Sequence, residues 1–126
     1  MDNTTNALNW FEIPAIDIDR SQKFYETIFD IEMMPAEMGD MKMAMFPMDP
    51  GSGKAGGGIA QSSNHKPSLE GSIIYLNANP AMDGVISKVE AAGGKILLPK
   101  TPIGENGFMA LIMDTEGNSV GVHSSN

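Results

Sequence analysis

Two histidines and a complete lack of cysteine limit the chemistry available to this 126-residue chain. Without thiols it has no disulfide, no cysteine nucleophile and no Cys-ligated zinc or iron–sulfur site. Glu12 and His123 supply a carboxylate and an imidazole, side chains that act as general acids and bases or bind metal ions. The other histidine, His65, lies in a polar segment, where we expect it to be solvated.

Methionine is the second unusual feature, because seven of the eleven methionines lie between positions 33 and 48. Thioethers can bind soft Cu(I). However, Met41, Met43 and Met45 occupy alternate positions, which is the periodicity of a strand. Because flexible methionine fills irregular apolar surfaces, the cluster also fits an adaptable wall of a ligand pocket or a subunit interface. These interpretations remain open.

The composition favours one folded domain with neither a nucleic-acid nor a membrane partner. Apolar residues make up 41% of the chain and charged residues 19%, as in ordinary folded proteins. A net charge of −8 with only eight Lys and Arg argues against phosphate binding. No apolar run approaches the ~20 residues of a membrane span, and residues 1–9 lack the features of a signal peptide. We therefore expect a cytoplasmic protein.

Two similar sets of elements must position these side chains. In the first set, Asp17 can cap a helix from Ile18 to Phe29. In the second, Asn79-Pro80 is a strong helix start and Gly93-Gly94 a helix stop. The predicted strands cover 8–15, 31–37, 41–48 and 56–61, and then 72–77, 95–99, 107–113 and 119–123.

The second set repeats the first at an offset of 64 positions, so that Ile18 corresponds to Met82. We therefore predict a single α+β domain over residues 1–126. It consists of two βαβββ modules, about 8–62 and 71–124, joined by a linker of about 63–70. The helices are expected on one side of curved sheets. A two-module protein usually binds its ligand in the crevice between the modules.

Three segments resemble the vicinal oxygen chelate superfamily, which contains glyoxalase I, bleomycin-resistance proteins and extradiol dioxygenases. They are the segment from Trp10 to Tyr25, the helix end at Val89–Gly94 and the hairpin Asp114–Asn118. The resemblance covers nearly the whole chain and is closest to glyoxalase-like proteins related to lactoylglutathione lyase. It implies a cup-shaped mixed sheet with the helices on its outer side, but it leaves the reaction open because one scaffold hosts many chemistries.

In the metalloenzymes of that family, His, Glu or Gln side chains from the first and last strands of each module bind a divalent ion. The ion then stabilises an enediolate or similar anion as a Lewis acid. The matching positions here are Trp10, Ser72, Gly121 and one residue within Gly57–Ala60, none of which is a good metal ligand. The resemblance therefore predicts no metal and no other cofactor, and metal-dependent glyoxalase I activity is not expected.

Strand alternation places Glu12 on the face of Trp10 and His123 on the face of Gly121, so both should point into the cup. There they could pair to satisfy each other in a partly buried cavity, act as a catalytic acid and base, or provide two ligands of a displaced metal site. An inward tryptophan could stack on a planar ligand or fill space. The predicted ligand-binding residues are Trp10, Ser72, Ile74, Phe108 and Gly121.

Two functions fit these observations. The first is a protein without the usual metal ligands that binds a small organic molecule in the cup between the modules. The alternative is a lyase, isomerase or epimerase that acts on a small oxygenated metabolite through Glu12 and His123. Because two-module members of the family commonly pair, a homodimer is also expected.

Overall fold

A computed structural model describes all 126 residues and contains eight strands and two α-helices. The first module has one helix and four strands: β1 (Trp10–Pro14), α1 (Ile18–Phe29), β2 (Met34–Met38), β3 (Met41–Met45) and β4 (Gly56–Gln61). The second has the same order: β5 (Tyr75–Asn77), α2 (Asp83–Val89), β6 (Lys95–Pro102), β7 (Phe108–Met113) and β8 (Ser119–Ser124). The predicted α+β class and the repeated βαβββ order are confirmed.

Helix α1 has the predicted bounds because both of its ends are determined locally. The Asp17 side chain accepts hydrogen bonds from the backbone N–H groups of Asp19 and Arg20. At the other end, Asp30 adopts a left-handed conformation with φ 52° and closes the helix. Neither helix is long and apolar enough to cross a membrane.

The start of the second module differs from the prediction. Helix α2 begins at Asp83 without a side-chain cap, rather than at Pro80. The Asn79 amide is used elsewhere: its nitrogen donates to Asn77 and its oxygen accepts from the backbone of Ser125. Strand β5 begins at Tyr75, so the predicted strand residue Ser72 lies in the segment before it.

Each module forms a mixed four-stranded sheet. The strand orders are β1-β4-β3-β2 and β5-β8-β7-β6, with the outer β1–β4 and β5–β8 pairs parallel and the other pairs antiparallel. The buried residues of the two helices repeat at the predicted offset of 64, as Ile18 and Met82 or Tyr25 and Val89 do, but the paired strands repeat at an offset of 63. Gly58 lies opposite Glu12, and Gly121, 63 positions after Gly58, lies opposite Tyr75.

The strand register separates two faces of each sheet. In the first sheet Ile13, Ile59 and Ala44 are cross-strand partners, and all three are buried in the hydrophobic core. Because alternate residues project to opposite sides, Trp10 and Glu12 lie on the other face, which we call the inner face. In the second sheet the inner face carries Tyr75, Gly121, His123 and their cross-strand neighbours.

The two modules share one core and are joined by a buried polar turn. Eighteen buried apolar residues from both modules form a single cluster. At its edge, the turn between β7 and β8 contacts the start of α1. The Tyr25 hydroxyl donates to Asp114 over 2.7 Å, and the Asn118 amide donates to the Pro14 carbonyl over 2.7 Å. Glu116 accepts from the backbone N–H groups of Ile16 and Asp17, which fixes the chain where α1 begins.

Candidate functional site

The candidate site is a row of three hydrogen-bonded polar side chains, in which His65 lies between Glu12 and Ser62. The Glu12 Oε1 atom lies 2.8 Å from Nε2 of His65, and Nδ1 of the same imidazole lies 2.6 Å from Oγ of Ser62. Strand β1 holds the carboxylate, whereas the turn after β4 holds the other two groups. A carboxylate that orients an imidazole next to a hydroxyl can bind a polar ligand or move a proton.

This arrangement corrects two expectations from the sequence. His65 is not freely solvated, because its side chain is only 16% exposed and is hydrogen-bonded at both ring nitrogens. Glu12 does not pair with His123 in the chain. The Nε2 atom of His123 instead lies 2.7 Å from the Asn106 carbonyl oxygen.

The surroundings of Glu12 stabilise its charged form. The hydrogen bond with His65 is the main reason that its pKa lies below the usual value, burial opposes this, and the Trp10 indole contributes a further lowering. The Trp10 Nε1–H group donates to Glu12 Oε2 over 3.2 Å. Glu12 is therefore an ionised acceptor at neutral pH, and two side chains from different elements orient it.

Two cavities border the Glu12–His65 pair. Glu12, Ser72 and Ile74 line one of about 200 Å³. His65 and Ser62 line a more open one of about 630 Å³. Lys66 lines both cavities. The structure thus brings the predicted ligand-binding residues Ser72 and Ile74 onto the cavity of Glu12.

Other predicted site residues lie elsewhere. His123 lines a separate cavity of about 460 Å³ with Tyr75, Ile103 and Met109. Phe108 packs against the hydrophobic core, with the Lys100 ammonium 4.5 Å from its ring centroid. The predicted ligand-binding residue Phe108 therefore lies on the core side of the second sheet, where its cross-strand partner Ser124 is fully buried, and it does not border the Glu12–His65 pair.

The positions that carry metal ligands in related enzymes are occupied by packing interactions. A Cβ atom on Gly121 would lie 2.4 Å from the Tyr75 ring, and one on Gly58 would lie 2.6 Å from the Ala44 carbonyl oxygen. Trp10 is 39% exposed and uses its only polar atom on Glu12. No group of three or more His, Asp or Glu side chains is arranged to hold a metal ion. Neither glycine nor the Trp10 indole offers a side-chain metal ligand at these positions.

The methionine cluster lies largely on the inner face of the first sheet. Met34 is paired with Met45, and Met38 with Met41, across the β2–β3 hairpin. Met45 is also paired with Gly58, which is the partner of Glu12, so the thioethers and the carboxylate share one face. Met34 and Met38 are 66% and 65% exposed.

Sequence reasoning missed the contribution of His65 because no local signal marks it. The residue lies in a polar segment after β4, and its partner is 53 positions earlier in the chain. The one available hint was the spacing of Ser62 and His65, which allows a hydroxyl to contact an imidazole within a single turn.

Comparison with known proteins finds one matching family and a relative of similar sequence. Residues 8–48 match the model of the bleomycin resistance protein-like N-terminal family. The chain is 30% identical over 125 residues to CFP32 of Mycobacterium tuberculosis, a proposed glyoxylase. This match covers 94% of the chain but only 45% of the relative, so the chain spans about half the length of that protein.

Solved structures share the fold at low sequence identity. A glyoxylase/bleomycin resistance protein/dioxygenase domain from Frankia superposes with a TM-score of 0.71 at 13% identity, covering 98% of this chain and all of that one. Maize glyoxalase I superposes with a TM-score of 0.63 at 16% identity, covering 93% of this chain and 45% of that one. These likenesses establish the fold alone.

Proposed function

We propose that the chain is a member of the vicinal oxygen chelate superfamily, which its matches to the bleomycin resistance protein-like family and to CFP32 favour, and that it binds a small organic molecule beside the Glu12–His65 pair. The observation that carries the proposal is the pair itself. An ionised carboxylate and a mostly buried imidazole lie 2.8 Å apart between two cavities. Most of the residues that line these two cavities are polar, which suits a ligand held by hydrogen bonds.

The nature of the lining favours a ligand that carries oxygen substituents. Lys66, which lines both cavities, and the Ser72 hydroxyl, which lines the smaller one, can donate hydrogen bonds to such oxygens. Because the family's metal-ligand positions do not fit a divalent ion, we propose that binding uses these side chains directly. Protein purified without chelators should then contain far less than one divalent ion per chain. A stoichiometric ion would contradict this proposal.

A binding screen with matched variants tests the site. We propose to screen bleomycin and a library of aromatic and oxygenated fragments by ligand-observed NMR, and then to measure Kd for the hits. His65→Gln should weaken binding about tenfold, since it removes a hydrogen-bonded imidazole. His123→Gln is the matched control and should leave the Kd within about twofold. The opposite ranking of the two variants would move the site to the other module.

The second candidate is an enzyme that transfers a proton on an oxygenated metabolite. The orientation of the ionised carboxylate by His65 favours it, because Glu12 could accept a proton from a carbon next to a carbonyl while Lys66, which lines the same cavity, donates to the oxygen. If so, a hit incubated in D₂O should exchange that hydrogen, and Glu12→Gln should abolish exchange while Kd stays within a few-fold. Binding without exchange in the wild type would leave the binding protein as the function.

We also propose that the protein is a homodimer. The support is the exposed apolar side chains on the inner faces of both sheets, among them Trp10, Met38 and Tyr75. A monomeric protein rarely leaves such a set uncovered. The flexible thioethers would adapt this surface to a second chain.

A further inference from the structure

Another cavity lies between the modules and the two helices, on the face of the first sheet opposite Glu12. It has a volume of about 620 Å³, and twelve of its eighteen lining residues are hydrophobic. Phe11 and Phe46 come from the first module, and Val85 and Pro80 from the second. We call this cavity the helix-side cleft. Its size and composition are those of a site for a small organic molecule.

The helix-side cleft is distinct from the site described above. Phe11 lines it and is paired with Gly57, on the face of the first sheet opposite Trp10 and Glu12. A Cβ atom on Gly57 would lie 2.4 Å from the Phe11 ring, so the ring is pressed against the sheet and forms a fixed aromatic wall. Tyr75 also lines the helix-side cleft, whereas Trp10 does not.

The charge of the cleft is opposite to that of the protein. The chain carries 16 acidic residues and a net charge of −8, yet no Asp or Glu lines this cavity. Its one charged lining residue is Lys88. This lysine forms no ion pair in the chain, since the salt bridges involve Arg20, His65 and Lys100. Its neighbours one helical turn away are glycine, valine and alanine, so no carboxylate competes for the ammonium group.

Helix α2 leaves an opening at the cleft. Gly84 lines the cavity one turn before Lys88, and a Cβ atom built there would meet nothing within 4 Å. Glycine inside a helix is less stable than alanine by up to ~1 kcal/mol. Here the missing side chain of Gly84 leaves free space one helical turn from Lys88.

We propose that the helix-side cleft binds an amphipathic carboxylate, with its alkyl or aromatic body between the modules and its carboxylate at Lys88. The apolar walls bury the body, and the ammonium group supplies the charge-assisted hydrogen bond that a carboxylate needs. The lysine stem is itself apolar and can cover the body while its head reaches the anion. This site does not depend on the function proposed for the Glu12–His65 pair.

The test uses a fluorescent carboxylate and its neutral counterpart. We propose to titrate the protein with 11-(dansylamino)undecanoate and with its methyl ester, following the blue shift and enhancement of dansyl emission. The acid should bind about tenfold more tightly than the ester, and Lys88→Gln should remove this difference. Lys95→Gln, which changes an exposed lysine outside the cleft, is the matched control and should preserve it. Equal affinity for acid and ester in the wild type would overturn the proposal.

Occlusion of the cleft provides a test that does not depend on charge. Gly84→Leu places a strong helix former where there is open space, so the protein should remain folded, and its side chain should fill the cavity. It should weaken binding of the acid at least tenfold, whereas Gly84→Ala should change it by less than about twofold. Undiminished binding by a folded Gly84→Leu variant would also overturn the proposal. A folded Trp10→Phe variant should bind the acid normally, which separates this cleft from the inner-face site.

Discussion

In both parallel strand pairs an aromatic ring packs over a glycine of the neighbouring strand. Phe11 covers Gly57 in the first sheet, and Tyr75 covers Gly121 in the second. Glycine in a strand lacks a side chain to pack, and a neighbouring ring can cover the exposed backbone. Gly121, which the family resemblance matches to a metal-ligand position, therefore serves packing in this chain.

Replacing Gly121 with alanine should destabilise the protein. The added methyl would lie 2.4 Å from the Tyr75 ring, so the ring or the strand must move. We expect a loss of about 1–3 kcal/mol in the free energy of unfolding, measured with urea. Gly84→Ala, where the methyl meets open space, should instead leave stability unchanged or raise it by up to ~1 kcal/mol. Equal effects of the two variants would show that the ring does not confine Gly121.

The turn between β7 and β8 connects the two modules through hydrogen bonds to the first module. Asp114 accepts the backbone N–H groups of Glu116 and Asn118 as well as the Tyr25 hydroxyl. Burial, together with the nearby Asp114 carboxylate, raises the pKa of Tyr25 well above its ordinary value, so the phenol stays a donor. Arg20 forms two hydrogen bonds with Glu116, whose side chain is fully buried.

Glu116 should contribute stability that depends on pH. Burial alone would raise its pKa, but hydrogen bonds from Arg20, from the backbone of Asp17 and Ile16 and from the Thr115 hydroxyl bring it below the ordinary value of 4.5. A carboxylate whose folded-state pKa is lowered stabilises the fold above its ordinary pKa, and this contribution is lost as the pH falls through the folded-state pKa.

We therefore expect Glu116→Gln to lower the free energy of unfolding by about 1–3 kcal/mol at pH 7. The difference from the wild type should narrow below pH 4.5, where the wild-type carboxylate becomes protonated. Urea denaturation at a series of pH values measures both effects. Glu70→Gln, at an exposed position, is the control and should change stability by less than about 0.5 kcal/mol. A pH-independent gap would contradict the role of the charge.

The Asp17 cap gives a second prediction about an element. Its side chain satisfies two backbone donors at the start of α1, so Asp17→Ala should cost about 1 kcal/mol of unfolding free energy. Asp19→Ala changes an acid in the same helical turn that forms no cap, and it should cost about half as much or less. Equal losses would mean that charge near the helix start, rather than capping, stabilises α1.

Where local signals decide an element, the sequence predicts it well. Asp17 and the buried stripe of α1 lie within one stretch of chain, and the predicted bounds of that helix are correct. The predicted start of α2 was wrong because the Asn79 side chain accepts a hydrogen bond from the backbone of Ser125, 46 positions away, and does not cap the helix. For the same reason the Glu12–His65 pair could not be predicted: the contact depends on how the segment after β4 folds back onto β1.

The proposed homodimer can be tested by a charged substitution on the inner face of the first sheet. If the inner face of the first sheet forms the homodimer interface, the wild type should sediment with twice the mass of the chain. Met38→Glu, at a 65% exposed position on that face, should shift it to the monomer, because burying an unpaired charge is unfavourable. Leu69→Glu changes an equally apolar and 52% exposed residue in the linker and should remain dimeric. A monomeric wild type, or a dimeric Met38→Glu variant, would place no interface there.

Binding of a ligand beside the Glu12–His65 pair can be followed through one NMR resonance. The chain has a single tryptophan, so its indole N–H gives one signal, and that group donates to Glu12. Titration with a compound from the screen should shift this signal to saturation in the wild type, and about tenfold more compound should be needed in His65→Gln. Compounds that bind tightly yet leave the indole signal unmoved would contradict the account.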